Sequence, residues 1–265
     1  PLSSELCSGN TTTVTLLSNV AGTAFTWTFT DNPDVTGETN SPAPTTTFSQ
    51  TLTNAGFDPE TVLYQITPAS PFGCVGDPYT FAVNIVTTPD IFFVPPAQSL
   101  CSGTISNIEV HSNNAQATFA WTTSPAPVVP DFYGWSDGSG DLIAQTVYNN
   151  LTSPQQVTFT VTPTAPGCPS GTPMNVVLTV NPIPAVAPAA QNPICSGQLT
   201  NIAPVSSVNP ATFTWTSSVT SGSATGNGAG GPVPPPPIRD QLTNTGIIPA
   251  VVTYQVTPTA YSCQG

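Results

Sequence analysis

The sequence predicts an all-β protein: three tandem antiparallel β-sandwich domains in a rod-like array. Three observations carry that expectation. Cys7, Cys101 and Cys195 are 94 residues apart, each opening a Cys-Ser-Gly triplet, and Trp27, Trp121 and Trp215 keep the same step. Thr, Val, Phe and Tyr alternate with period two in every unit, the mark of half-buried strands. Proline and glycine separate these runs and no helical period intervenes. A unit of about 90 residues can close its own core, whereas a solenoid unit of about 20–50 residues cannot. The units are residues 1–92, 93–186 and 187–265.

In the first unit a strand is expected near Thr11–Leu17. Next comes the tryptophan strand, with Phe25, Trp27 and Phe29 on one face and Thr26, Thr28 and Thr30 on the other. Phe119 with Trp121 and Phe213 with Trp215 are its counterparts. Another strand is expected at Phe48–Leu52. The tyrosine strand then runs from Val62 to Thr67, with counterparts around Phe159 and Tyr254. Each copy is expected to stop at its proline (Pro68, Pro163, Pro258), which cannot donate to a ladder. Trp27, Trp121, Trp215, Tyr64, Phe159 and Tyr254 are the expected core, and the threonine faces meet water. Tyr79–Val86 and the run from Met174 to Val180 supply a last strand in units one and two. The third unit stops at Cys263-Gln264-Gly265 and lacks it. An open sheet edge is an aggregation hazard or a docking site, so the expected reading is that the chain continues and supplies the strand itself, the alternative being a strand inserted by a neighbouring subunit.

The proline-rich stretches Thr87–Ser99 and Asn181–Pro193 read as semi-rigid polyproline spacers. Pro1–Leu6 leads into Cys7 as Pro96–Leu100 leads into Cys101, so the sequence reads as a window from a longer mature protein. The copies differ most after each tryptophan, at Asp31–Thr47, Thr123–Asp141 and Ser217–Pro237. The last of these carries a low-complexity Gly run and the prolines Pro234–Pro237. Variable loops on a repeated scaffold can hold binding specificity, and they are equally where drift goes unpunished.

Lys and Arg together number one, against 13 Asp and Glu, for a net charge of −12. A chain whose only such cation is Arg239 lacks the basic clusters that bind nucleic acid or anionic membranes. No apolar stretch reaches the length of a membrane span. The shortage of Lys and Arg removes trypsin-type cleavage sites and suits an extracellular life.

The cysteine period suggests one bridge within each unit: Cys7 with Cys74, Cys101 with Cys168, and Cys195 with Cys263. Those bridges span separations of 67, 67 and 68 residues. Chain entropy assigns each about 4 kcal/mol. Oxidised cysteines place the protein outside the cytoplasm. A metal role is disfavoured, because no Cys-x-x-Cys pair exists and His111 is the single histidine.

Catalysis finds little support. His111 is the sole imidazole and has no counterpart in the other units, and nothing fixes a separation for Asp131, Asp137 and Asp141. Asp137 to Asp141 resembles a calcium loop only loosely, since the bidentate glutamate is missing, and Asp31, Asn32 and Asp34 are no stronger. No cofactor is expected. Phe132, Tyr133 and Trp135 beside Asp137 and Asp141 form a candidate sugar-stacking loop; the rival reading is that these aromatics cap the sandwich. Asn10 and Asn150 begin glycosylation sequons.

Cys-Ser-Gly, then Phe-x-Trp-Thr, then Leu-Thr-Asn (Leu52, Thr53, Asn54 and Leu242, Thr243, Asn244), then Tyr-Gln-Val-Thr-Pro, together resemble PKD-like repeats. The resemblance covers all three units and implies an Ig-like sandwich. It also implies the tandem modules of giant surface and gliding adhesins exported by the type 9 system of Gram-negative bacteria. The chain departs from PKD domains proper in lacking Gly-Asp-Gly after the tryptophan strand. It departs from immunoglobulins in placing Tyr64 ten residues before Cys74.

The expected function is a non-catalytic segment of an extracellular, cell-surface adhesin stalk or filament, serving adhesion or gliding motility. Its partners are neighbouring repeats or subunits of the same fibre. The alternatives are a module binding surface polysaccharide through its variable loops, and a subunit of a donor-strand polymer.

Overall fold

A computed structural model describes residues 2–187, 191–233 and 237–265. Pro1, the prolines Pro234–Pro236 and residues 188–190 of the expected second spacer lie outside the described residues. Among those described, every regular element is a strand.

The first repeat contains β1 (Leu2–Cys7), β2 (Thr11–Thr15), β3 (Ala24–Thr30), β4 (Val35–Thr36), β5 (Thr47–Thr51), β6 (Thr53–Asn54), β7 (Glu60–Ala69) and β8 (Tyr79–Val86). The second contains β9 (Phe92–Val94), β10 (Gln98–Cys101), β11 (Ile108–His111), β12 (Thr118–Ser124), β13 (Phe132–Tyr133), β14 (Gly138–Ser139), β15 (Leu142–Ile143), β16 (Tyr148–Asn149), β17 (Gln155–Thr164) and β18 (Met174–Asn181). The third contains β19 (Thr212–Ser221), β20 (Ala224–Thr225), β21 (Gly230–Val233), β22 (Thr243–Asn244), β23 (Val251–Ala260) and β24 (Cys263–Gln264).

One sheet of each repeat is built around its tyrosine strand or the equivalent. The orders are β1-β8-β7-β3, β10-β18-β17-β12-β14 and β21-β19-β23-β24. The β7–β8 and β17–β18 pairs are antiparallel, whereas β1 and β10 join β8 and β18 in parallel. Alternation then sorts the side chains. On β7, Val62, Tyr64 and Ile66 are buried while Thr61, Leu63 and Gln65 face out. Phe48 of the facing sheet lies edge-on to Trp27, Tyr64 and Phe81, with centroids 5.1, 4.8 and 5.3 Å away, which locks the two layers together. Phe159 and Trp121 hold the same places in the second core.

The tyrosine strand does not end at its proline. It continues through Pro68, Pro163 and Pro258, which pair with Phe25, Phe119 and Phe213. The carbonyls of these prolines accept from Gly76, Gly171 and Gly265 on the side away from the tryptophan strand. In an antiparallel strand a residue's N and C=O share a side, so the missing N–H faces away from the tryptophan strand and costs no bond of that ladder.

The first spacer is also not a free polyproline rod. Phe92–Val94 pairs antiparallel with β11, and Ile91 and Phe93 enter the second core. Their alternation gives the segment an apolar face, which packing claims.

Candidate functional site

The cysteines distinguish this chain from a string of independent sandwiches. Cys7 is bonded to Cys168 and Cys101 to Cys263, so each bridge joins one repeat to the next. The pairing within repeats expected from the period is wrong, and the topology explains why. Cys7 ends β1 beside Val86, the last residue of β8, while Cys74 sits in the turn before β8 begins. Eight residues of strand span roughly 26 Å, whereas a disulfide needs Cα atoms within about 7 Å. The exit of β8 instead meets the turn of the next repeat, where Cys168 has its Cα 4.9 Å from that of Cys7. Cys74 and Cys195 are exposed and free.

Each junction is also packed. A Cβ on Gly171 would sit 1.9 Å from the Pro89 carbonyl oxygen, and one on Gly265 1.7 Å from that of Pro184, so only glycine lets these turns lie against the connector. Buried Asn114 of the second repeat donates from Nδ2 to the Thr87 carbonyl at 2.7 Å, and the Thr87 hydroxyl donates back to Phe57 O at 3.0 Å. Asp90 accepts from Asn113 N–H at 2.7 Å and from the Ser112 hydroxyl at 2.8 Å. Burial works to raise the Asp90 carboxyl, but these bonds and one from the Asn113 side chain outweigh it and hold it below the usual range. At the second junction Asn181 Nδ2 donates to Tyr261 O at 3.3 Å.

The Cys-Ser-Gly and Leu-Thr-Asn motifs form one clasp. The Ser8 hydroxyl accepts from Asn54 N–H at 3.0 Å, and Ser102 and Ser196 do the same for Asn149 and Asn244 at 2.8 and 3.0 Å. Gly9, Gly103 and Gly197 donate to the carbonyls of Leu52, Val147 and Leu242. The asparagine amide then reaches across to the last strand: Asn54 donates to Ile85 O at 3.2 Å and Asn149 to Val180 O at 2.7 Å. The motif therefore fastens the exit end of the last strand.

In the third repeat that strand is absent among the described residues, and the outer edge of β23 has no strand partner from Val251 to Thr257. A cavity of about 1020 Å³ opens there, lined by Ile194, Ile202, Val252, Tyr254 and Val256. Tyr254, the counterpart of buried Tyr64, lines this cavity and is only partly buried, and Trp215, the counterpart of buried Trp27, is partly buried as well. Tyr254 OH donates to Asp240 Oδ2 at 2.7 Å, as Tyr64 OH donates to buried Gln50 at 3.4 Å. Burial, with the Glu38 charge, raises the Tyr64 phenol well above its ordinary value; burial and then the Asp240 bond raise that of Tyr254.

The structure takes the aromatic loop apart as a stacking site. Phe132 and Trp135 belong to the second core, 4.4 Å apart between ring centroids, and Trp135 Nε1 donates to Pro125 O at 2.9 Å. Only Tyr133 stays partly exposed, stacked on Tyr148 at 5.1 Å. These aromatics are buried because β13 pairs with β16 and folds the loop over the sandwich end. Asp137 Oδ1 accepts from Thr123 N–H and hydroxyl at 2.7 and 2.9 Å, while Asp141 contributes its carbonyl to Val110 N–H. Asn32 Oδ1 accepts from Asp34 N–H in a local turn. His111 stacks on Phe92 and lies 3.1 Å from Glu109. Among the described residues no three His, Cys, Asp or Glu side chains gather to hold a metal.

A sequence profile of the PKD-like domain matches residues 4–89, 98–184 and 192–265. No curated protein sequence matches the chain. Among solved structures, the Dpr2 Ig1-Ig2 structure in complex with DIP-Theta Ig1-Ig3 is 11% identical with a TM-score of 0.41, covering 100% of this chain and 93% of its own. The D00-D0 domain of intimin is 10% identical with a TM-score of 0.34, covering 66% and 94%. Drosophila N-cadherin EC1-4 is 12% identical with a TM-score of 0.29, covering 100% and 72%.

Proposed function

The chain belongs to the PKD-like domain family in three consecutive repeats, and from that premise we propose that it is a non-catalytic, load-bearing segment of a long extracellular adhesin stalk or surface filament. The observation that carries this reading is that both disulfides run between repeats. A bridge inside a repeat protects that repeat alone. A bridge between repeats gives every junction a second covalent path beside the main chain. Tension reaching Cys7 from its N-terminal side divides there into one path of 94 residues to Cys101 and another through Cys168, and the two rejoin at Cys263. Such a device serves a chain that is pulled. Disulfides also require an oxidising compartment, which supports an extracellular, cell-surface location.

Giant gliding or adhesion proteins exported by the type 9 system are the parent class that fits, with neighbouring repeats of the same fibre as partners. No cofactor and no nucleic acid enter this reading. Polysaccharide binding through the loop at Phe132–Asp141 is the weaker alternative, because two of its three aromatics are buried.

Single-molecule stretching tests the proposal. At about 3.4 Å per residue the fully extended oxidised chain measures about 35 nm and the reduced chain about 90 nm. An oxidised chain that extends to the reduced length would refute the load-sharing role.

A further inference from the structure

We propose that the first repeat forms an internal ester between the Thr39 hydroxyl and the side-chain carbonyl carbon of Gln50, with release of ammonia. The bond ties the loop after the tryptophan strand to β5, across 11 residues of sequence. This goes beyond the stalk reading and does not depend on it.

The reacting groups already lie together. Gln50 is 4% exposed, and its Oε1 accepts from Thr39 N–H at 3.0 Å, from the Thr39 hydroxyl at 3.2 Å and from Tyr64 OH at 3.4 Å. A carbonyl bond is about 1.2 Å long, so Thr39 Oγ lies within about 4.4 Å of the Gln50 carbonyl carbon, close to the roughly 3–3.5 Å of a near-attack geometry. Thr39 is held there from two sides. Gly37, at φ 98°, brings the loop against β5, where a Cβ would sit 2.1 Å from Thr51 O, and Trp27 Nε1 donates to Thr39 O at 3.0 Å. The base is the preceding residue. Glu38 Oε1 is buried without a hydrogen-bond partner among the described residues, and its charge acts on the Tyr64 phenol that donates to Gln50, so the carboxylate belongs to the same cluster. A buried oxygen left without a donor costs stability, and a proton to accept gives this one a use.

The other repeats lack the complete set. Gly37, Gly134 and Gly226 align them, since a Cβ on each would meet the carbonyl oxygen of Thr51, Thr146 or Gln241 at 2.1, 2.2 or 2.0 Å. The counterparts of Glu38, Thr39, Gln50 and Tyr64 are then Trp135, Ser136, Gln145 and Phe159 in the second repeat, which has a hydroxyl and an amide but neither carboxylate nor phenol. In the third they are Asn227, Gly228, Asp240 and Tyr254. There Gly228 N–H and Tyr254 OH both donate to Asp240 Oδ2, at 2.9 and 2.7 Å, so the oxygen pocket recurs with no hydroxyl or amide to react.

The step balances. Glu38 takes the proton of the Thr39 hydroxyl, Thr39 Oγ bonds to the Gln50 carbonyl carbon, and the carbonyl electron pair moves onto Oε1, where Thr39 N–H and Tyr64 OH stabilise it. Glu38 then returns the proton to Nε2 as the C–N bond breaks, and ammonia leaves to solvent.

Intact mass spectrometry of the purified, folded chain after prolonged incubation at neutral pH tests this. The mass is expected about 17 Da below that of the sequence with its disulfides formed, the loss of one ammonia. After chymotryptic cleavage at Phe48 the peptides carrying Thr39 and Gln50 should stay joined, and hydroxylamine, which attacks esters, should separate them. Thr39→Ala, at an exposed position, and Glu38→Gln should each show the full mass with an unchanged circular dichroism spectrum, and Thr39→Ser should recover the deficit. The proposal is overturned by full mass in the wild-type chain or by a deficit that survives Thr39→Ala or Glu38→Gln. A gain of about 1 Da at Gln50 would also overturn it, because water rather than Thr39 would then have taken the carbonyl.

Discussion

Cys7 and Cys168 are covalently joined although they belong to different repeats, and 161 residues of sequence separate them. Their bond sits where β8 leaves the first sandwich and meets a turn of the second. The same relation links Cys101 to Cys263. The repeats are consequently connected as a ladder, with the connectors as one rail and the bridges as the other.

A cut in a connector should not separate the repeats. With a protease site inserted between the exposed residues Gln191 and Asn192, the cleaved protein is expected to run as one species on a denaturing gel without reductant. With reductant it should give two fragments. Release of the third repeat without reductant would contradict the Cys101–Cys263 bond.

Asp90 makes the first junction acid-sensitive. Its carboxyl is held below the ordinary value of 3.8 in the folded protein, so its contribution is present above that value and fades as pH falls through the lower folded one. The stability difference between wild type and Asp90→Asn, measured by urea denaturation, should be constant from about pH 5 to 7 and shrink below about pH 4. A difference that grows on acidification would contradict the network.

Alkali should act through the sandwich tyrosines. The folded Tyr64 phenol ionises well above its ordinary value of 10.0, so the stability it contributes is complete below pH 10.0 and is lost as pH rises beyond it. Tyr64→Phe should make the first repeat less sensitive to pH above that point. Its melting curve measured across pH 9 to 11 decides this: an unchanged alkaline slope would place the sensitivity elsewhere.

Trp135→Ala tests whether the loop serves packing or ligand. The side chain is 4% exposed and hydrogen-bonded to Pro125, so the substitution should destabilise the second repeat by about 3–5 kcal/mol. Full stability combined with lost polysaccharide binding would restore the sugar-binding reading.

The repeats and the tryptophan and tyrosine strands were legible in the sequence because each rests on local alternation or a fixed spacing. The bridges were not. A 94-residue period makes Cys74 and Cys168 equivalent positions, so spacing alone cannot tell the bridge within a repeat from the one between repeats. Only the parallel register of β1 on β8, which carries Cys7 to the exit end, decides between them. Phe132 and Trp135 looked free because they lie in the most variable stretch, yet a two-residue pairing of β13 with β16 turns them inward. The role of Leu-Thr-Asn was legible only as a recurring motif; its meaning, an amide that ties down the last strand, needed Ile85 and Val180 in place.

The most direct test is disulfide mapping of the oxidised protein by peptide mass spectrometry without reduction. The account predicts peptides joining Cys7 to Cys168 and Cys101 to Cys263, with Cys74 and Cys195 alkylated as free thiols. Peptides joining Cys7 to Cys74, Cys101 to Cys168 and Cys195 to Cys263 would contradict it and return the chain to three independently stapled domains.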